Sequence, residues 1–305
     1  MTTSFRLNVI LTVSLFFLPA GLFAQTVSGL APGVFAVSPA KQEIKVAAGD
    51  SVIRNIYITN RLGRDAEFSI GIEDVSGGNE VAIRYYGDGL GPYSIKRFAL
   101  VGNERIKIAD GEVKVVPVMI MVPVKTKPGG YYGAIFVKEI RPATAETRVT
   151  TRVGSLLFLR VAGEVIEKGE LKGFSAGEQS IFWNSQPIEF QISFANSGNI
   201  YLNPYGLIEI ADYRGQIVKR LPIDPWFVFP DSVRTRGVTW EKVPRLGYFK
   251  VTLYLNHGYS KAMATVTTRR ILVVPFKLIV VVLAILALIM VIYRLRKKIR
   301  SLSTI

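Results

Sequence analysis

Alternation of apolar and polar side chains with a period of two residues runs through most of this 305-residue chain. Phe68, Ile70 and Ile72 alternate with polar or small residues, and the segment 251–255 repeats the pattern. Such alternation is typical of a strand with one buried and one solvated face. Turn-forming sequences such as 77–79 end these runs, and no long helical period occurs between the two ends of the chain. The sequence therefore predicts an all-β protein.

The chain is long enough for two β-sandwiches, and its two halves share weak features. One predicted strand ends at Asn60 and another at Asn196, and each is followed by a polar turn. In each half a proline precedes a tyrosine by four residues, in the segments 128–132 and 244–248. This spacing is similar to the tyrosine corner of immunoglobulin-like sandwiches, where the hydroxyl bonds to nearby backbone. We predict two immunoglobulin-like antiparallel β-sandwiches followed by one transmembrane α-helix.

Apolar segments at both ends of the chain predict export and membrane anchoring. Residues 1–24 combine Arg6 with an apolar stretch, as in a secretory signal peptide, although an uncleaved anchor remains the alternative. Residues 278–293 are apolar without interruption, and residues 271–276 bring the run to the length of a membrane span. A buried core helix is the alternative, but this stretch has no polar face. The basic residues after Tyr293 predict a cytoplasmic tail.

These features predict an order of segments along the chain. We expect a signal peptide over 1–24, an outer sandwich over 25–165, a membrane-proximal sandwich over 166–270, a transmembrane helix over 271–293 and a cytoplasmic tail over 294–305. A last strand over about 261–274 runs almost directly into the span, so the second sandwich would sit on the membrane surface. The chain is thus expected in the cell membrane with a single pass and an extracellular body.

The charge of the chain favours anionic partners. Its 38 Lys and Arg residues against 23 Asp and Glu residues give a formal net charge of +15. Without Arg6, Lys277 and the five basic residues after Tyr293, the exported body keeps 31 Lys and Arg residues against 23 Asp and Glu residues, a net charge of +8. On an exported body such charge suits anionic wall polymers, peptidoglycan or lipid headgroups, while a solvated basic face without a partner is the alternative. Nucleic acid is not expected as a partner of an exported chain. The absence of cysteine excludes disulfides and thiol catalysis.

The sequence contains no recognisable catalytic or metal-binding motif. Its single histidine, His257, lies where a strand enters a turn. The acidic residues show no paired arrangement of the kind that glycosidases use. Gly129 and Gly130 precede a strand rather than a helix, so they do not form a phosphate-binding loop. We therefore expect a protein that is not an enzyme, with no catalytic residues, no metal and no cofactor.

Several short motifs resemble those of a known family. The first half contains the segments 35–40, 48–50 and 128–135, and the second half contains 194–199 and 229–234. With the signal peptide, the span and the basic tail, these resemble the WxL-interacting membrane proteins of bacterial cell surfaces, over nearly the whole chain. The resemblance implies an outer domain that binds peptidoglycan and a membrane-proximal domain that engages surface proteins of WxL type. The opening motif also occurs in pilus-chaperone-like domains, where a strand precedes a sheet edge used for binding.

A glycine-rich, poorly periodic loop is the candidate glycan-binding site. Its candidate residues are Arg84, Tyr85, Tyr86, Asp88 and Tyr93. The tyrosine rings would stack on sugar faces, while the arginine and the aspartate would bond the hydroxyls, because loops on a rigid sandwich often carry function. The alternative is a hairpin whose tyrosines cover the sheet.

Aromatic residues of the second half are candidates for protein binding. Trp226 and Phe227 lie in the run 221–230, and an exposed Trp226 would serve as an interface anchor. The alternative is that Trp226 closes the end of the sandwich. Trp240 alternates with its neighbours and is expected in the core.

The predicted function is non-catalytic. The chain is expected to be a membrane-anchored surface protein that binds the cell wall, surface protein partners, or both. The alternative is a membrane-tethered, chaperone-like assembly factor that captures partner β-strands by edge pairing, which requires an open sheet edge.

Overall fold

The computed structural model describes residues 33–78, 83–140, 151–177, 180–183, 186–260 and 263–302. In this part of the chain the strands form four sheets, and one long helix lies at the C-terminal end. The sheets enclose two separate hydrophobic cores, one in each of two immunoglobulin-like β-sandwiches. The predicted fold class is confirmed. The predicted signal peptide lies outside the described residues.

Ten strands build the first sandwich. They are β1 (Val34–Ser38), β2 (Lys41–Val46), β3 (Ser51–Arg61), β4 (Ala66–Ser76), β5 (Arg84–Tyr85), β6 (Ala99–Val101), β7 (Arg105–Ile108), β8 (Val113–Met121), β9 (Gly129–Ile140) and β10 (Arg152–Val161). One sheet has the order β1-β3-β8-β6, and the other has the order β2-β10-β9-β4-β5 with β7 also paired to β4. Ile58 from the first sheet and Leu157 from the second are fully buried in the core between them.

One segment of chain is shared between these two sheets. Strand β1 pairs antiparallel with β3, and beyond Pro39 the chain crosses to the other sheet, where β2 runs parallel to β10. The pairing of β2 with β10 begins at Leu156 and ends at Val161. Strand β10 itself begins at Arg152, where it pairs with β9. The first four residues of β10 therefore lie beyond the reach of β2.

Eight strands build the second sandwich. They are β11 (Gly169–Ser175), β12 (Ile181–Trp183), β13 (Ile188–Asn196), β14 (Tyr205–Ala211), β15 (Ile217–Ile223), β16 (Ser232–Trp240), β17 (Gly247–Asn256) and β18 (Ala264–Val274). One sheet has the order β11-β13-β16, and the other has the order β12-β18-β17-β14-β15. Trp240 is buried in the core, as predicted.

A buried asparagine with the same contacts ends a strand in each sandwich. Asn60 donates its amide hydrogens to the carbonyl oxygen four residues on, at 2.9 Å, and to that of Ile108, at 3.0 Å. Asn196 donates likewise to the carbonyl four residues on, at 2.7 Å, and to that of Val228, at 2.8 Å. Each side-chain oxygen also accepts the N–H two residues on. The weak internal repeat of the sequence thus corresponds to a repeated hydrogen-bond arrangement.

A tyrosine corner forms in the first sandwich, one residue earlier than predicted. Tyr131 donates its hydroxyl to the carbonyl oxygen of Lys127 at 2.9 Å. Tyr132, four residues after the proline, is instead buried. In the second sandwich Tyr248 is exposed.

The C-terminal helix α1 (Phe276–Leu302) follows β18 after a single residue, Pro275. Its segment Ile279–Arg296 is long and apolar enough to cross a membrane, and none of it is buried in the protein. The predicted start of the helix at residue 271 is wrong. Ile271 and Val273 belong to β18 and are buried in the core of the second sandwich, which holds this segment in a strand.

Candidate functional site at the interface and edges of the sandwiches

An aromatic cluster joins the two sandwiches. Tyr132 and Phe158 of the first sandwich meet Phe229 of the second, with ring centres 4.9 to 5.4 Å apart. All three side chains are at most 2% exposed. Tyr201 and Phe227 of the second sandwich pack at the margin of this cluster. Edge-to-face contacts of this kind add to the stabilisation from burial, so the cluster fixes one sandwich against the other.

Backbone groups also cross the interface. The Tyr132 hydroxyl accepts a hydrogen bond from the N–H of Tyr201 at 2.6 Å. The N–H of Gly130 donates to the carbonyl oxygen of Asn199 at 2.8 Å. A side chain at Gly130 would collide with the Tyr132 hydroxyl, so this close approach requires glycine.

Two tyrosine–carboxylate hydrogen bonds flank the cluster. Tyr93 donates to Asp231 at 2.5 Å, and Tyr201 donates to Glu43 at 2.6 Å. Burial and the bond to the carboxylate raise the pKa of Tyr93 and of Tyr201 above the ordinary value. Burial on its own raises the pKa of Glu43, but hydrogen bonds from Lys41 and Tyr201 outweigh it and hold that pKa below its ordinary value. Each of these bonds joins a phenol of one sandwich to a carboxylate of the other.

A cleft of about 530 Å³ lies between the sandwiches beside the cluster. Strands β2 and β10 form one wall, with Glu43 and Arg160, and the second sandwich forms the other, with Tyr201, Asn203 and Tyr259. Its lining combines aromatic rings with charged and amide groups. Such a lining can bind a polypeptide segment through both stacking and hydrogen bonds.

The first four residues of β10 form an open sheet edge. Leu156 donates its N–H to the carbonyl oxygen of Ala40 on the side where β2 lies. Peptide groups alternate in direction along a strand, so Arg152 and Gly154 direct their N–H groups to this same side. Within the part of the chain that the structure describes, no strand pairs with β10 there. This edge offers backbone donors and acceptors for an added strand.

A groove lies on each face of the sheet beside this open edge. On the inner face, a groove of about 370 Å³ separates β10 from β1 and is lined by Phe35, Val37 and Val153, among others. On the outer face, a groove of about 330 Å³ is lined by Tyr85 and Phe136, among others. Successive side chains of a strand point to opposite faces of a sheet. A strand added at this edge would therefore direct alternate side chains into the two grooves.

Three other edge strands carry features that oppose strand pairing. Strand β2 presents Lys41, Glu43 and Lys45 as exposed residues, and β15 contains Pro222. Strand β16 carries Arg234 and Arg236. Charges and proline are common protection of edge strands. Between Arg152 and Leu156, by contrast, β10 has only the uncharged residues of the segment 153–155.

The structure separates the five candidate glycan-binding residues. Tyr85 is 43% exposed and packs edge-on against Phe136. Arg84 lies over the Tyr86 ring, whose hydroxyl is 3.1 Å from that of Ser76. The backbone oxygen of Asp88 accepts a hydrogen bond from Lys96, and Tyr93 donates to Asp231 in the second sandwich. The three rings therefore do not form one stacking platform, and wall binding by this loop stays a prediction.

The expectation of an exposed Trp226 is wrong. Trp226 is 3% exposed and packs in the core of the second sandwich, which its large apolar ring helps to fill. Phe227 lies at the interface with the first sandwich, where Arg234 stacks 4.4 Å from its ring centre. Trp226 therefore presents no free anchor to solvent, whereas protein binding by the partly buried Phe227 stays a prediction.

The single histidine is part of the packing. His257 is 5% exposed, lies between the rings of Phe194 and Tyr259, and its Nε2 atom is 2.7 Å from the Thr265 hydroxyl. Among the described residues, no three His, Asp or Glu side chains come together as a metal site.

Sequence reasoning missed both the interface and the open edge. Tyr201 shows no local pattern that points to Tyr132, 69 residues away in the chain. The pairing of β2 with β10 likewise joins residues more than one hundred positions apart.

Comparisons with known proteins find similarity only among solved structures. No model of a protein family matches the chain, and no curated protein matches it. The chain is similar to the class 5 fimbriae chaperone CfaA, with 13% identity, a TM-score of 0.40, and coverage of 80% of this chain and 100% of that one. It is also similar to the E. coli chaperone DraB, with 12% identity, a TM-score of 0.38, and coverage of 77% and 99%.

A third similar structure is the CsuC–CsuE chaperone–tip adhesion subunit pre-assembly complex from Csu pili of Acinetobacter baumannii. The identity is 10%, the TM-score is 0.38, and the coverage is 67% of this chain and 89% of that one. The resemblance to the WxL-interacting family stays a prediction, because no family model supports it.

Proposed function

We propose that this chain is a membrane-anchored, non-catalytic protein that binds a partner polypeptide by adding one of its strands to the open edge of β10. The observation that carries the proposal is the stretch of β10 at Arg152–Ser155, which has a groove on each face and no partner strand on its outer edge among the described residues. Strand addition obtains affinity from backbone hydrogen bonds and specificity from pockets for alternate side chains. The edge of β10 offers both backbone hydrogen-bonding groups and grooves for alternate side chains.

The chemistry of the grooves specifies the partner strand. The inner groove is mainly apolar, with Phe35, Val37 and Val153, and suits aliphatic side chains. The outer groove holds Arg152, whose guanidinium lies 4.2 Å from the Phe136 ring centre and 2.7 Å from Glu73. That face suits polar or acidic side chains. The expected partner strand alternates aliphatic with polar residues and carries no lysine or arginine opposite Arg152.

Membrane anchoring by α1 determines where such binding would take place. Only Pro275 separates the last strand from the helix, so the second sandwich would lie against the membrane surface. The basic residues of the sequence after Tyr293 support an orientation with the tail in the cytoplasm and the sandwiches outside. The protein would thus hold partner strands close to the membrane that it spans.

A matched pair of variants tests strand addition. Arg152→Pro removes the outward N–H group, whereas Arg152→Ala removes the same side chain and keeps that donor. The probe is a synthetic peptide of about ten residues that alternates valine and threonine between terminal glutamates. We expect the peptide to bind the full-length protein in detergent and the Arg152→Ala variant, and to bind Arg152→Pro at least about tenfold more weakly. Equal affinity for the two variants would contradict the proposal.

Binding of peptidoglycan by the outer sandwich is a separate prediction. Within the loop, the exposed ring of Tyr85 beside Arg152 is the remaining group with stacking geometry. Retention of the full chain on purified sacculi at high salt, and its loss in Tyr85→Ala, would support this second function. Retention that disappears with salt would reflect only the basic surface.

A further inference from the structure

The outer face of one sheet of the first sandwich is unusually apolar. On β3 and β8, the side chains that point away from the core alternate with buried ones. Seven large apolar side chains of this face are between 42% and 56% exposed: Ile53, Tyr57, Leu100, Val113, Val115, Met119 and Met121. Pro117 lies among them at the centre of β8. We call these eight residues the apolar face.

Strand β8 has the composition of a strand that is buried on both sides. Its inward positions carry Val116, Val118 and Ile120, and its outward positions carry members of the apolar face. A sheet with one solvated face normally alternates apolar with polar residues. Strand β13 of the second sandwich does so, with Glu189 and Gln191 pointing outward. The sequence of β8 therefore indicates that its outward side chains, like its inward ones, are covered by another protein surface.

Charge is absent from this face although the chain is strongly basic. The outward positions of β3 from Ser51 to Thr59, and of β8 from Val113 to Met121, carry no charged residue. The first charged outward residue is Arg61, at the end of β3. Without Arg6, Lys277 and the five basic residues after Tyr293, the chain still has 31 Lys and Arg residues against 23 Asp and Glu residues, so two copies carry net charge of the same sign and repel each other. The apolar face is a place where two copies can meet without opposing like charges.

We propose that the apolar face is a contact between two copies of this chain. Seven side chains, each about half exposed, present several hundred Å² of apolar surface, which approaches the roughly 800 Å² per partner of stable interfaces. Flat apolar sheet faces pack against each other at about 10 Å separation, as in a sandwich. Anchoring by α1 holds copies in one membrane and raises their effective concentration.

Cysteine cross-linking in membranes tests this contact, because the chain has no cysteine of its own. Single substitutions Tyr57→Cys, Val115→Cys and Met119→Cys on the apolar face are treated with a short bismaleimide. Val266→Cys, 59% exposed on the second sandwich, is the matched control. We expect cross-linked dimers from the apolar face at least about fivefold above those from the control, since only paired faces approach within reach. Equal cross-linking at all positions would overturn the proposal.

The oligomeric state of the full-length protein in detergent provides the second measurement. Light scattering after size exclusion should give twice the mass of one chain for the unmodified protein and for the control Gln191→Lys. The double variant Val115→Lys/Met119→Lys should give the mass of one chain, with an unchanged circular dichroism spectrum, because both positions point away from the core. A mass of two chains for the double lysine variant, or a mass of one chain for the unmodified protein, would overturn the proposal.

Discussion

At the scale of single residues, a buried asparagine at a strand end provides hydrogen bonds for backbone carbonyl groups in each of the two sandwiches. A strand that enters a turn leaves backbone carbonyl groups without ladder partners. Asn60 and Asn196 bond two such carbonyls each, at 2.7 to 3.0 Å. The sequence predicted that strands end at these two residues. It did not predict their contacts, because Ile108 lies 48 positions from Asn60 and Val228 lies 32 positions from Asn196.

Removal of one of these amides should destabilise the first sandwich. Asn60→Ala removes one buried hydrogen bond to the Ile108 carbonyl and two part-buried ones, to the Arg64 carbonyl and from the Leu62 N–H. We therefore expect the free energy of unfolding to fall by about 2–4 kcal/mol. Denaturant unfolding of the full-length protein measures the change. Asn55→Ala is the control, because Asn55 is exposed on the same strand. Equal losses in both variants would show that the buried amide has no special role.

Acidification should weaken the interface through Glu43. The folded-state pKa of Glu43 lies below its ordinary value of 4.5, so the ionised form stabilises the folded protein. This contribution is present above about pH 4.5 and is lost as the pH falls through the lower folded-state pKa. Because Glu43 is partly exposed, the effect stays under about 1 kcal/mol. The melting temperature of Glu43→Gln should lie below that of the unmodified protein at neutral pH and approach it in acid; a difference independent of pH would contradict this.

At the scale of elements, alternation and turn residues were enough to predict most strands, because both signals are local. The pairing of strands was not predictable in the same way. Leu156 of β10 pairs with Lys41 of β2, and no local signal joins them. The open edge depends on where β2 stops, so it could be found only in the structure. The start of α1 was misplaced because Ile271 and Val273 are apolar for another reason, namely burial in the core of the second sandwich.

The boundary between β18 and α1 gives a prediction about truncated chains. A chain that ends at Val274 keeps Ile271 and Val273 in the core and keeps the pairing of β18 with β12. A chain that ends at Arg270 loses both. We expect the longer form to unfold with at least about 3 kcal/mol more stability, since two buried aliphatic side chains are retained. Thermal unfolding of the two forms measures this, and equal stability would contradict the assignment of residues 271–274 to the core.

At the scale of the whole molecule, the aromatic cluster couples the two sandwiches. Phe158 contacts both Tyr132 of its own sandwich and Phe229 of the other. Strand β10 carries Phe158 near one end and the open edge at the other. A partner strand at that edge would therefore bind a strand whose far end is fixed against the second sandwich.

Loss of this ring should loosen the connection between the sandwiches. Phe158→Ala removes contacts at the centre of the cluster, and we expect a loss of about 3–5 kcal/mol in the free energy of unfolding. Trypsin cleavage after Lys168, which lies between β10 and β11, should become faster in this variant than in Leu90→Ala, a control at an exposed position. Unchanged cleavage would mean that the cluster does not hold the sandwiches together.

Hydrogen exchange of the β10 amides tests strand addition most directly. The full-length protein in detergent is compared with and without the alternating valine–threonine peptide. Strand addition predicts that the amides of Arg152 and Gly154 exchange rapidly in the free protein and at least about tenfold more slowly with peptide bound, while those of Leu157 and Leu159 stay protected in both. Unchanged exchange at Arg152 and Gly154 when the peptide is bound would contradict the account.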